Sequence, residues 1–415
     1  MTDFKTDFKK LVTYGFGQVI NLVSPFLVIP HIIRTSGLEN FGKISFVFSI
    51  CLFLMVVVDY GNDITSVKEI AVNRNDKSIL NKLLLENLSS RFLLLLFISV
   101  LYVLLSFSFG NNFLLYSTSF TIVIGQFINP SWFLQGVENV NLITIGNIFS
   151  KVIYLALTFL FVNSVENYIW VNLFWGIGMI VSYSIIYIII FRNYSFTFYK
   201  IPFKDQLQFL KSNFLIFTSQ LFLAGQMFLP IIIVGKFGGY ILAGKFKIID
   251  QILSIFKTYI FLFFNFIYPK VSYKFKEKTD AYGYWLTVNF CNVILITLGC
   301  LFLYIFKSFV LGIFGVNEYS NIEFIFSISL IYPIIFSINV SFRQLILALG
   351  FNSFYVKITT YISILYLLGT FILILNYGLR EIFIYMIFLE CLLFLIYIFK
   401  LNKIKNVKKI VTKNS

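Results

Sequence analysis

The sequence predicts an all-α polytopic membrane protein of about twelve transmembrane helices, in two six-helix lobes around a central cavity. Three observations carry this. First, 59% of the 415 residues are hydrophobic and 12% charged, with a mean hydropathy of +0.88, too apolar for a soluble domain with one buried core. Second, apolar runs of about 20 residues, the length needed to cross a bilayer, recur along the whole chain. Third, punctuating residues repeat after about 200 positions.

The expected spans lie at 11–33, 42–60, 84–108, 113–134, 141–162, 167–191, 212–234, 241–268, 284–306, 322–348, 354–375 and 379–400. The start, MTDFKTDFKK, has the charge of a signal peptide. The apolar run behind it is too long for an h-region and lacks an A-x-A site, so it reads as a retained first span. Pro25 and Pro30 in that span, and Pro230 in the seventh, remove helical hydrogen bonds and are the expected hinges. Pro30, Gly37, Gly42 and Lys43 match Pro230, Gly238, Gly244 and Lys245 at offsets of 200 to 202, and Pro130 matches Pro333 at 203. An even number of spans per half makes the repeats parallel. The expected domains are therefore 1–200 and 201–400, joined by the basic loop 192–211, with a basic tail at 401–415.

Charge sets the orientation. With the N-terminus inside, 22 of the 33 Lys and Arg residues fall in inner segments and 6 in outer ones, which places both termini in the cytoplasm. The net charge of +15 thus reflects inner loops, and no nucleic-acid partner is expected. Cys51, Cys291, Cys300 and Cys391 lie inside apolar runs without CxxC spacing, and His31 is the sole histidine, so neither a disulfide framework nor a metal site is indicated. No P-loop, G-x-S-x-G or H-E-x-x-H string occurs, and no loop exceeds about 25 residues, so an enzyme is not expected. Abundant Phe, Ile, Asn and Lys fit A/T-rich codons and carry no functional reading.

Charges inside spans are costly, about 2.5 to 3.5 kcal/mol for a central lysine, so they should face a polar interior. In the eighth span Lys247, Asp250, Ser254 and Lys257 fall within an arc of about 80° on a helix, forming one polar stripe. Lys151, near the centre of the fifth span, shares a face with Thr144, Asn147 and Thr158. Lys151, Lys247 and Lys257 are the principal candidate cavity cations, with Asp250 the obvious partner of Lys257. Arg91 and Arg343 are further candidates, although each is close enough to a cytoplasmic end to snorkel to the headgroups. Asp250, Glu390 and Asp59 are candidates for coupling to H+ or Na+, with burial, pairing or an interfacial cap as the alternatives.

Several strings resemble the polysaccharide transporter family, the Wzx-type O-antigen flippases of the MOP superfamily. Arg34 to Gly42 is similar to the family's R-x-x-G-x-x-x-F-G turn. Asp59-Tyr60-Gly61, Lys68 to Ala71 and Asn73 to Asp76 resemble its second-helix end and loop, Pro130 to Glu138 its fourth-helix motif, and Tyr268-Pro269-Lys270-Val271-Ser272 the end of its eighth helix. Ser36 and Lys68 depart from the family's usual Leu and Arg. The resemblance implies a MATE-like fold in the bacterial inner membrane. It also implies movement of an undecaprenyl-pyrophosphate-linked oligosaccharide, O-antigen or a similar surface polysaccharide unit, to the periplasmic leaflet. No cofactor is expected; the expected partners are the lipid-linked oligosaccharide, membrane lipid, a polysaccharide polymerase and a chain-length regulator. The competing readings are a multidrug or cation antiporter of the same fold and a membrane glycan polymerase or ligase.

Overall fold

The computed structural model describes residues 2–107, 112–276, 281–316 and 321–413. The side chains of the charged start at 1–10, and those of the expected basic tail beyond residue 403, lie outside the described residues. Every regular element among the described residues is a helix.

Among the described residues ten helical stretches are long and apolar enough to cross a membrane, and two local breaks account for the difference from twelve. The first helix, α1 (Thr2–Asp59), holds two expected spans in one run, interrupted at Gly37, whose backbone has φ 82° and ψ 163°. Only glycine adopts that conformation readily, so the R-x-x-G turn is where the chain changes direction. The expected fourth span is split into α4 (Phe113–Ser119), α5 (Thr121–Phe127) and α6 (Ser131–Gly136). Asn129 Oδ1 accepts from the Ser131 hydroxyl and backbone N–H at the second break. Each piece is shorter than a bilayer-crossing helix, although the string of three covers the expected stretch.

The chain divides into two compact units, Met1–Gly235 and Lys236–Ser415. In the first, α2 (Thr65–Val72) and α3 (Lys77–Phe107) follow α1. After α6 come α7 (Val140–Phe161), a 3-10 turn at Val165–Trp170, α8 (Val171–Tyr194) and α9 (Phe203–Ile233). Glycines bring α8 close to its neighbours: a Cβ at Gly178 would overlap the Ser150 carbonyl of α7, and one at Gly176 would overlap Thr121 of α5. Small residues take this role in membrane helices because van der Waals contact, rather than exclusion of water, drives their packing. Helix α9 packs against α1 and α3 in this unit, with Phe217 stacked on Tyr60 at 4.3 Å. The boundary of compactness thus follows α9, whereas the boundary read from the repeat precedes it.

A π-helical turn, Val234–Gly238, separates α9 from α10 (Tyr240–Lys276), and Gly239 between them has φ +91°. Gly37 therefore matches Gly239, at the 202 offset of Gly42 and Lys43, where the sequence pointed to Gly238. The offset grows from 200 at the prolines to 202 here, and a π-turn, one residue wider than an α-turn, takes up part of that insertion. The expected hinges lie in helix: Pro25 and Pro30 inside α1, and Pro230 just before the π-turn.

The second unit holds α10, α11 (Ala281–Ile305), α12 (Lys307–Ile313), α13 (Ile322–Ser329), α14 (Ile331–Ala348), α15 (Asn352–Asn376) and α16 (Leu379–Lys413). Pro333 occupies the first turn of α14, where its missing N–H costs nothing. Helix α11 buries Asn289, Asn292, Ile296 and Cys300 at a spacing of three to four while exposing Leu286, Phe290, Leu298 and Phe302. An apolar outer face with polar groups inside is the pattern of a helix solvated by lipid.

Candidate functional site

The polar stripe of α10 is present as expected. Lys257 Nζ donates to Asp250 Oδ1 at 2.9 Å, and Lys247 Nζ lies 3.9 Å from the other carboxylate oxygen. The three side chains are 20%, 30% and 29% exposed in chain order, so the cluster is half-buried and carries one net positive charge. Lys257 reaches back two helical turns to make its contact, and its ammonium also lies 5.4 Å from the Tyr332 ring centroid. Ser254 takes no part, since its hydroxyl donates to the Gln251 carbonyl at 2.6 Å.

Glu390 of α16 is held by Asn339 of α14, whose amide donates to its carboxylate and, at 2.8 Å, to its backbone carbonyl. Asn339 was not marked by the sequence, because one Asn in an apolar run has no distinguishing spacing.

Lys151 is 7% exposed and has no carboxylate within ion-pair distance among the described residues. Its ammonium instead sits 3.0 Å from the Trp175 ring centroid, and that ring is held edge-on by Phe48 at 5.0 Å and Tyr154 at 4.9 Å. A desolvated cation on an indole face gains about 2 kcal/mol, less than burial of a lysine costs, so this charge is poorly compensated. Thr144 and Thr158 are buried on the same helix, and Asn147 accepts from the Tyr183 hydroxyl at 3.0 Å. Trp175 was missed for the same reason as Asn339: an aromatic residue in an aromatic-rich chain gives no signal.

Arg91 corrects the snorkelling expectation. It is 0% exposed; Nη2 contacts Asp59 Oδ1 at 2.9 Å and the Gln126 carbonyl at 2.6 Å, while Nε donates to the Val58 carbonyl at 3.3 Å. Asp59 Oδ2 accepts from Gln126 Nε2 at 2.6 Å, so both its oxygens are engaged. Arg91 and Asp59 form an internal tie among α1, α3 and α5. The helix end that made Arg91 look free to reach the headgroups is folded into the unit. Arg343 is partly exposed, with its guanidinium 4.6 Å from the Phe264 centroid and 4.7 Å from that of Tyr355.

The structure thus gathers Lys247, Asp250 and Lys257 in one cluster, sets Glu390 in the same unit, and leaves Lys151 on its own aromatic platform in the other. Such groups can hold an anion or exchange a counter-ion.

The chain matches the polysaccharide biosynthesis protein family over residues 8–275. Two relatives bear the name "Putative O-antigen transporter". One, from Escherichia coli K12, is 28% identical over 35% of this chain and 36% of its own length. The other, from Shigella dysenteriae, is 23% identical over 63% of this chain and 68% of its own length. The E. coli match thus spans about a third of that relative. An inward-facing multidrug resistance MATE family transporter of the MOP superfamily superposes with a TM-score of 0.68 at 14% identity, covering 94% of this chain and 99% of that one. A MOP superfamily transporter from Pyrococcus furiosus gives 0.57 at 13%, covering 96% and 95%. Such low identities speak for the fold alone, which is that of the MATE and MOP transporters. With well over half of its length matched by the family and the fold agreeing, the chain is a member of the polysaccharide biosynthesis protein family.

Proposed function

We propose that this multi-pass membrane protein is a flippase, moving an undecaprenyl-pyrophosphate-linked oligosaccharide unit from the cytoplasmic to the periplasmic leaflet of a bacterial inner membrane by alternating access. The observation that carries this reading is the half-buried cluster of Lys247, Asp250 and Lys257, one net positive charge within a span. A diphosphate stripped of water needs cationic partners, and lysine supplies compact ones. A drug antiporter for organic cations would call for the opposite sign. Lys151, without a carboxylate partner among the described residues, adds a second positive point. Family membership and the names of the two relatives support a polysaccharide substrate.

In this reading both termini are cytoplasmic, and a polymerase and a chain-length regulator consume the flipped unit. Asp250 and Glu390 are the places where H+ or Na+ would couple to movement. Asp59, with both oxygens engaged, serves structure instead.

Deleting the gene in its native bacterium and resolving surface glycan by number of repeat units tests the function. Loss of all surface units, with lipid-linked units accumulating inside, is expected. Single units at the surface without chains would assign the protein to polymerisation, and an unchanged profile would return the drug antiporter. For the site, Lys257→Gln should sharply reduce export at normal protein abundance; full export would remove Lys257 from the pathway.

A further inference from the structure

The motif Tyr268 to Ser272 is not used by the transport reading. It lies near the end of α10, where Pro269, Lys270, Tyr273, Lys274 and Tyr284 line a cavity of ≈ 470 Å³. Lys270 and Lys274 are one helical turn apart, a rise of about 6 Å, and face the same side. Each ammonium rests by an aromatic ring: Lys270 Nζ is 4.2 Å from the Phe266 centroid and Lys274 Nζ 5.1 Å from that of Tyr284. The Phe266 ring is the one contact of the Lys270 ammonium among the described residues. The rim is aromatic and open, with Phe266 59%, Tyr273 65% and Tyr282 61% exposed. Tyrosines and lysines at one level mark the headgroup layer of a bilayer.

What distinguishes this place from a chance pair of surface lysines is the surface adjoining it. Leu262 and Phe266, two turns and one turn before Lys270 on the same face of α10, are both more than half exposed. They form an apolar wall that continues from the pocket toward the middle of that span. A free anion would use the lysines and ignore this wall, whereas a lipid would use both. By the distribution of basic loops, this end of α10 belongs to the cytoplasmic side, whose leaflet carries anionic lipid.

We propose that this pocket seats the phosphate of an anionic phospholipid in the cytoplasmic leaflet. Lys270 and Lys274 are the cationic contacts, Tyr273 and Tyr284 stand at headgroup level, and the acyl chains lie along the exposed face of α10 that carries Leu262 and Phe266. The site is independent of the transported substrate and of the Lys247, Asp250 and Lys257 cluster.

The test is native mass spectrometry of the full chain released from nanodiscs of equal phosphatidylglycerol and phosphatidylcholine, reading the ratio of the two lipids retained. The wild-type chain should retain an excess of phosphatidylglycerol. Each of Lys270→Gln and Lys274→Gln should cut that excess about fivefold, the effect of one basic residue near an anionic surface. The pair Lys270→Arg and Lys274→Arg, which keeps the charges, should retain it, and so should Lys307→Gln, which removes a lysine elsewhere. An unchanged excess in the double glutamine variant would overturn the proposal. So would an equal loss with Lys307→Gln, which would make the preference one of net charge. Displacement of the bound lipid by inorganic phosphate would assign the pocket to a free anion and overturn it as well.

Discussion

Replacing Asp250 with Asn tests whether the carboxylate acts as a built-in competitor for the substrate's diphosphate. Its oxygens lie 2.9 Å from Lys257 Nζ and 3.9 Å from Lys247 Nζ. At an effective dielectric between 20 and 80, fitting groups 20% to 30% exposed, the closer contact amounts to about 1.5 to 6 kcal/mol of Coulomb attraction. An anion approaching Lys257 from the far side would stand about 6 Å from the carboxylate and be repelled by about 0.7 to 3 kcal/mol per unit charge. Asn keeps the shape and removes this repulsion, leaving two positive charges where there was one. Binding of inorganic pyrophosphate to the detergent-solubilised protein, followed by calorimetry, should therefore tighten by at least about tenfold, the effect of about 1.4 kcal/mol relieved on one of its charges. The gain should shrink as salt is raised, because the cluster is half-open to solvent. Lys257→Gln should weaken the same binding. Should Asp250→Asn bind pyrophosphate no better than the wild type, with an unchanged melting temperature, the carboxylate is only a support for the lysines. Because tighter holding slows release, glycan export should fall in this variant even as binding improves.

The tie between Arg91 and Asp59 makes a separate prediction. Arg91→Met alone should cost about 3 to 5 kcal/mol by stranding a carboxylate that is 15% exposed, read as loss of folded protein by size-exclusion fluorescence. Adding Asp59→Leu should recover a substantial part, and failure of the pair to do so would show that the hydrogen bonds to Val58 and Gln126 matter more than the charges. Gly37→Ala and Gly239→Ala, at φ +82° and +91°, should each destabilise by about 1 to 3 kcal/mol. Thermal melting in detergent checks this, and an unshifted midpoint would place these turns in another conformation. Trp175→Leu removes the ring face on which the Lys151 ammonium rests and should impair export as strongly as Lys151→Gln; full activity of the tryptophan variant would mean that the lysine is held by something else.

How much of this was legible in advance differs by element. The α10 stripe was readable because helical periodicity alone puts Lys247, Asp250 and Lys257 on one face, and the contact between Lys257 and Asp250 stays within a single helix. The turn at Gly37 was readable too, and its counterpart was misplaced by one residue because a π-turn is a change of hydrogen-bond register with no composition of its own. Arg91 could not be placed, since distance to the span end says nothing about whether Asp59 and the Gln126 carbonyl will fold over it.

Composition and periodicity were enough to show that the chain crosses a membrane many times, roughly where its helices run, that it turns at Gly37 and which embedded charges need explaining. Those properties follow from local quantities: the transfer cost of side chains, the length of a helix and the backbone freedom of glycine. Only the tertiary structure decided which charges are tied and which are left open. It gave Arg91 to Asp59, Glu390 to Asn339 and Lys151 to Trp175. The physical reason is that a buried charge is satisfied by whatever group packing brings within about 3 to 6 Å, and in these pairs the partner lies on another helix, at a separation that no period records.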